Sequence, residues 1–328
     1  MFGIKSNICR KPVSMILFNQ PPGAPVRLLT VISKRISILL LVNVLSFLSC
    51  TVNAQDLSSL PSPLVYKNQQ PFALVAGGSK GIGYAIAEAL AKRNYNLVLI
   101  ARTEQPLRNA KKTLEEKYNI QVEILSADLT NDSVAPQLAR WSEQNNLPLK
   151  MLCNVAGMGG TNDFLKLPAD SVRYMIQLNL ESPVIMVQYF LPLLEKNKPA
   201  HILNVSSMAG FSPIPVKNIY SASKSGLTFF SYSLRYQLKK KGVSVSCLAP
   251  GPVYTKPEIV KDTKEKLGWF GDFMEVPPAK VGEFAVKKTL KGKMIIVPGK
   301  PARFTSNIIR ALPRRWAASI YNALGKEN

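Results

Sequence analysis

The sequence predicts an α/β fold, a doubly wound parallel sheet in a single domain with an extension at each end. Three observations carry this expectation. Apolar runs of strand length alternate with amphipathic helical stretches from about residue 71 to 298. The first run leads directly into a glycine-rich turn and then into a helix of periodic apolar residues. The whole stretch has a length suited to one large core, and it shows no internal repeat or low-complexity tract.

Phe72–Ala76 is a short apolar run bounded by Pro71 and by glycines, so it reads as a strand. Ile82, Ala85, Ile86, Ala89 and Leu90 then recur at helical spacing. Between them lies Gly77-Gly78-Ser79-Lys80-Gly81-Ile82-Gly83. Glycines let such a turn adopt backbone conformations closed to other residues and approach a pyrophosphate, whose charge then meets the helix N-terminus. Alone the turn is a weak signal, because a glycine-rich connection with no ligand has the same composition. Further strand-like runs follow at 97–101, 122–126, 149–154, 201–206, 243–249 and 294–297.

Tyr220 and Lys224 are one helical turn apart, and Ser207 closes the run at 201–206 upstream of them. A phenol, an ammonium and a hydroxyl beside a dinucleotide turn are equipment for moving a proton and a hydride. A free tyrosine has a pKa near 10, and a neighbouring ammonium favours the phenolate, so Lys224 is expected to lower that of Tyr220. A metal site is not expected around the single histidine, His201, which reads as structural. Cys153 and Cys247 fall in apolar strand runs and Cys9 and Cys50 near the N-terminus, which is neither a disulfide framework nor metal-ligand spacing.

These motifs, in this order, resemble the short-chain dehydrogenase/reductase family over roughly residues 72–297, and the resemblance implies a Rossmann-like sheet. The family's cofactor turn matches at Gly77, Ser79, Lys80, Gly81, Ile82 and Gly83, with Ala76 where a Thr or Ser is common. Asp128 and Leu129 fall where the family contacts adenine. Asn154-Val155-Ala156-Gly157 resembles its Asn-Asn-Ala-Gly segment, with Val155 as the departure. Pro250-Gly251-Pro252-Val253-Tyr254-Thr255 resembles the segment that holds the nicotinamide carboxamide. The resemblance makes Tyr220 the proton donor to a carbonyl, Ser207 the group that holds its oxygen, and Lys224 a partner of both Tyr220 and the cofactor ribose. It assigns Asn179 to a proton relay.

The choice of dinucleotide follows from charge. NAD enzymes usually place an acid at the end of the second strand, about 20 residues past the glycines. Here Ala101 and Arg102 stand there, with Lys80 in the turn, and a guanidinium suits the 2′-phosphate of NADP(H). The resemblance, with this cofactor choice, implies NADPH-dependent reduction of a carbonyl or the reverse, and the likeness of the tail to the C-terminal extension of a bacterial subgroup of the family implies an apolar, lipid-like or 3-oxoacyl substrate. A non-catalytic NADP(H)-binding regulator on the same fold is the rival, and the intact Ser207, Tyr220 and Lys224 argue against it.

Trp269, Phe270, Phe273 and Met274 either wall a substrate pocket or anchor their loop, and Phe164 and Leu165 are candidates for the same cleft. The domain reading is 1–54 as a basic and hydrophobic extension, 55–70 as a linker, 71–298 as the catalytic domain and 299–328 as a basic amphipathic tail. Residues 36–54 carry no charge, which is close to the ~20 residues that span a bilayer. Membrane association is expected, by that segment and by contact of the tail with an anionic surface. Export after cleavage near Ala54, or a soluble cytoplasmic protein with a tail packed on its domain, are the alternatives. The formal charge of +22 comes with no nucleic-acid recognition motif, so no nucleic-acid partner is expected. Helices within 169–196 and 218–241 resemble those that pair subunits in the family, implying a homodimer or homotetramer.

Overall fold

Seven parallel strands, β1 (Phe72–Ala76), β2 (Asn96–Ala101), β3 (Val122–Ser126), β4 (Leu149–Asn154), β5 (Ala200–Val205), β6 (Val243–Leu248) and β7 (Ile295–Ile296), form one sheet in a computed structural model of the chain. Their order is β3-β2-β1-β4-β5-β6-β7. The structure describes residues 60–66, 68–159, 164–253 and 276–324, all within one compact unit, Asn53–Asn328. Thr255, Trp269, Phe270, Phe273, Met274 and residues 36–54 lie outside the described residues.

Each strand of the sheet centre is buried on both sides, which is why the sequence shows continuous apolar runs rather than alternation. In β1 every residue is buried, and successive side chains serve different cores. Phe72, Leu74 and Ala76 join the cluster under α3 (Val134–Gln144) and α5 (Ser182–Lys196), whereas Ala73 and Val75 join the one under α1 (Gly81–Ala91) and α7 (Pro278–Leu290). Fully burying a side chain such as Phe72 or Leu74 is worth about 1.5–3 kcal/mol. On the second face α1 and α7 cross closely, since a Cβ at Gly282 would lie 2.3 Å from the Ala85 carbonyl oxygen. Helix α2 (Glu104–Tyr118) covers the sheet beside α1 and ends on Asn119 in the left-handed region, φ 48°.

The registers align the strand ends that matter. Ala76 is paired with Ile100 on one side and Asn154 on the other, and Asn154 with Asn204. Chain order reverses between β1 and β4, and the crevice beyond the carboxyl ends of strands at such a switch point is where ligands bind in open α/β sheets.

The expectation of membrane association is corrected by the structure. No helix among the described residues is long and apolar enough to cross a membrane. The tail forms α8 (Lys300–Ala311) and α9 (Arg314–Leu324), whose inward side chains already have a partner. Ala302 and Ile309 pack with Met208, Phe211, Ala249 and Val297, and Tyr321 lies against the same cluster. Arg310 stacks over the Phe211 ring at 5.4 Å, and Arg314 donates to the Phe211 carbonyl at 2.7 Å. Phe304 and Trp316 remain on the outside.

Candidate active site

The glycine turn closes the end of β1. Gly77 has φ +93°, and a Cβ there would lie 2.6 Å from the Ala156 backbone nitrogen. A Cβ at Gly83 would come within 1.9 Å of the Gly77 carbonyl oxygen, so helix α1 starts hard against the turn. The backbone nitrogens of Gly77 and Gly78 donate to Ile100 at 2.7 and 3.2 Å, which ties the turn to β2. Helix α1 has no side-chain cap at Lys80 and no acid in its first turn, leaving its N-terminal end positive and open to an anion.

Beyond β4, the Val155 and Ala156 nitrogens both donate to the Ala76 carbonyl, at 2.9 and 2.7 Å. The chain then passes beside the proton-handling groups. A Cβ at Gly157 would lie 2.9 Å from Asn179 Oδ1 and 3.1 Å from Lys224 Nζ, and one at Gly159 would touch the Tyr220 ring at 3.5 Å. Asn179 is fully buried on a π-helical turn, Gln177–Glu181, between α4 (Ala169–Ile176) and α5. Its amide clamps the Met158 backbone, Oδ1 accepting from Met158 N and Nδ2 donating to Met158 O, each at 2.9 Å. Nδ2 also donates to Ser223 Oγ at 3.1 Å.

Tyr220, Ser223 and Lys224 share α6 (Asn218–Gln237). Ser207 opens the short 3-10 turn Met208–Phe211 after β5, where its Oγ accepts from Ala209 N at 3.1 Å and its hydroxyl lowers the pKa of the Tyr220 phenol. Burial pushes the Tyr220 pKa up, and the Ser207 hydroxyl opposes that. The expected lowering by Lys224 is thus corrected. The Lys224 ammonium, 4% exposed, donates instead to the Val205 carbonyl at 2.9 Å, and burial brings its own pKa down to about 8. Behind it, Ser206 and Thr228 both donate to the Lys224 carbonyl at 2.8 Å, fixing the helix against β5.

The Asn154 side chain is buried among its neighbours at the end of β4. Its Nδ2 donates to Asn204 Oδ1 at 2.9 Å, and Asn204 donates on to Ser231 Oγ at 2.9 Å. A polar residue within the apolar β5 run is the signal that could have found Asn204. Arg102 is exposed past β2, with NH1 donating to the Tyr174 hydroxyl at 2.7 Å. Asp128 accepts from Thr130 N and Oγ1 at 3.0 and 2.8 Å, and Leu129 is buried beside it. The Pro250 carbonyl accepts from Met208 N at 3.0 Å, with Gly251 and the buried Val253 following, so this segment flanks the Ser207 turn. Phe164 and Leu165 are exposed. His201 bonds Ser244 Oγ at 2.7 Å, and burial lowers its pKa.

A family model described as short chain dehydrogenase matches residues 71–266. Very-long-chain 3-oxoacyl-CoA reductase of Mus musculus is 33% identical over 200 residues, covering 60% of this chain and 64% of that protein. Hydroxysteroid dehydrogenase-like protein 1 of Gallus gallus is 34% identical over 209 residues, covering 63% and 62%. The chain thus spans less than two thirds of the length of these relatives. Among solved structures, a short-chain dehydrogenase from Sphingobium yanoikuyae in complex with NADPH superimposes with TM-score 0.62 at 23% identity, covering 79% of this chain and 96% of that one. A 7β-hydroxysteroid dehydrogenase reaches TM-score 0.69 at 20% identity, covering 77% and 96%. These two likenesses show the fold.

Proposed function

The chain belongs to the short-chain dehydrogenase family, and we propose that it is an NADPH-dependent oxidoreductase that reduces a carbonyl to an alcohol, or runs the reverse. One observation carries the reading: Tyr220, Lys224 and Asn179 converge on the 157–159 segment at the switch point of the sheet, with Ser207 acting on the Tyr220 phenol. The residues fit the cofactor. The uncapped, cationic start of α1 behind a turn that has no room for Cβ atoms suits a diphosphate, held by Gly77, Ser79, Lys80, Gly81, Ile82 and Gly83. Arg102 would take the 2′-phosphate, Asp128, Leu129 and Ala156 would border the adenine side, and Pro250, Gly251, Val253 and Thr255 the nicotinamide side. Asn154 would act by fixing the turn from beneath, through Asn204.

When bound, NADPH supplies the hydride. Tyr220, protonated at neutral pH because burial raises its pKa, donates a proton to the substrate oxygen. Ser207 holds that oxygen by its hydroxyl. Lys224, charged below about pH 8, serves the ribose hydroxyls and the reprotonation of Tyr220, while Asn179 sets the 157–159 backbone from which the relay is built. We assign the catalytic domain to 71–298, with 299–328 as a tail that braces the Ser207 turn.

An apolar, lipid-like or 3-oxoacyl substrate is favoured by the relatives named for very-long-chain 3-oxoacyl-CoA reduction. The test is NADPH oxidation by the full-length protein against ketones, aldehydes and 3-oxoacyl thioesters of increasing chain length. Turnover that improves with chain length supports the proposal. Tight NADPH binding with no turnover of any of them would favour a non-catalytic regulator instead.

A further inference from the structure

Arg102 does not stand alone at the end of β2. Its guanidinium carbon lies 5.6 Å from the centroid of the Tyr174 ring, and its NH1 donates to the Tyr174 hydroxyl at 2.7 Å. The same hydroxyl donates to Asp128 Oδ2 at 3.4 Å. One phenol from α4 therefore stands between a cation after β2 and a carboxylate after β3. Burial and the Asp128 charge raise the Tyr174 pKa, so the phenol keeps the proton it donates.

We propose that Tyr174 is a specificity-determining residue, which holds Arg102 as a receptor for the 2′-phosphate of NADP(H). The inference rests on the NADPH reading above and adds to it the residue that prepares the receptor. Three features make the case. The ring and the hydroxyl fix a long side chain that would otherwise lose its rotamer freedom only on seizing a phosphate. The Nε and NH2 positions of the guanidinium keep no partner among the described residues, which leaves part of the fork for phosphate oxygens. Asp128, which would neutralise the guanidinium in a direct pair, is occupied by Tyr174 and by Thr130. The assembly is adjacent to the cofactor turn, since Gly77 and Gly78 bond Ile100, two residues before Arg102.

The experiment is calorimetric titration of the full-length protein with NADPH, NADH, 2′,5′-ADP and 5′-ADP. Wild type is expected to prefer the two ligands that carry a 2′-phosphate. Tyr174→Phe, which keeps the ring, should weaken NADPH and 2′,5′-ADP by roughly three- to tenfold and leave NADH and 5′-ADP unchanged. Arg102→Ala should cost more, and adding Tyr174→Phe to it should cost nothing further, because the phenol acts through the guanidinium. Wild type that prefers NADPH alongside a Tyr174→Phe protein of unchanged affinity overturns the role of Tyr174 alone. Equal losses for phosphorylated and unphosphorylated ligands overturn it too, as a general structural effect. A wild type that binds NADPH and NADH equally overturns the underlying cofactor reading.

Discussion

Replacing Lys224 with Met should make the protein more tolerant of neutral pH while destroying its activity. The ammonium is buried, makes one described hydrogen bond, to the Val205 carbonyl, and has its pKa lowered from the ordinary lysine value to about 8. That gap corresponds to about 3 kcal/mol against the charged form in the folded protein. The sign follows from proton counting. Between about pH 8 and the ordinary lysine value near 10.4 the unfolded chain binds the extra proton and the folded one does not, so folded stability rises with pH across this window. Below about pH 8 both states are charged and the full penalty applies. Lys224→Met has no such penalty at any pH, although it leaves the Val205 carbonyl short of a donor, which costs about 1–3 kcal/mol independent of pH. Urea unfolding of both proteins from pH 7 to 10.5 separates the two terms. The stability of wild type relative to the variant should climb by about 3 kcal/mol between pH 8 and 10.5. A difference that stays flat over that range would show that Lys224 reaches solvent in the folded protein, and the argument for its buried charge would fail.

Four further outcomes are expected. Tyr220→Phe should lower turnover by about a hundred- to ten-thousandfold, with NADPH affinity by fluorescence titration nearly unchanged, since only the ionisable oxygen is lost. Arg102→Asp should cut catalytic efficiency with NADPH by roughly ten- to a hundredfold, and should spare or improve that with NADH. Gly282→Ala places a Cβ against the Ala85 carbonyl where α7 crosses α1, and should destabilise by about 1–3 kcal/mol in urea titration. Arg314→Ala removes the bond to the Phe211 carbonyl, and should lower the thermal midpoint and kcat together, because that carbonyl belongs to the turn that Ser207 opens.

The fold was legible because its signal is local and repeated. Strands buried on both faces read as unbroken apolar runs, and the turn at Gly77–Gly83 has a composition that few other connections need. The site was legible to the extent that one helix carries it, since Tyr220 and Lys224 announce themselves by spacing. What eluded the sequence needs a partner distant in the chain. Asn154 turns to Asn204 on the neighbouring strand, and nothing at position 154 tells the inward amide from the outward one. Asn179 holds Met158 because a π turn rotates it there, and one extra residue in a helix leaves no mark on a periodicity. The direction of the Tyr220 shift differs as well, because burial raises it and the group that opposes burial is Ser207, while Lys224 turns its ammonium to the Val205 carbonyl.

The tail carries the same lesson for the membrane expectation. An apolar stripe opposite a row of arginines is the pattern of a helix lying on a lipid surface, and equally that of a helix packed on its own domain. Periodicity measures the donor face alone, and the choice is made by whichever acceptor is present. Here the acceptor is built by Met208, Phe211, Ala249 and Val297, residues that individually look like ordinary strand ends and turns. Two of the arginines then have protein partners as well, Arg310 on the Phe211 ring and the Tyr232 hydroxyl and Arg314 on a backbone carbonyl. A cation bonded in this way belongs to the turn it braces, and the basic character of the tail is in part the chemistry of holding Phe211, the end of the Met208–Phe211 turn, in place.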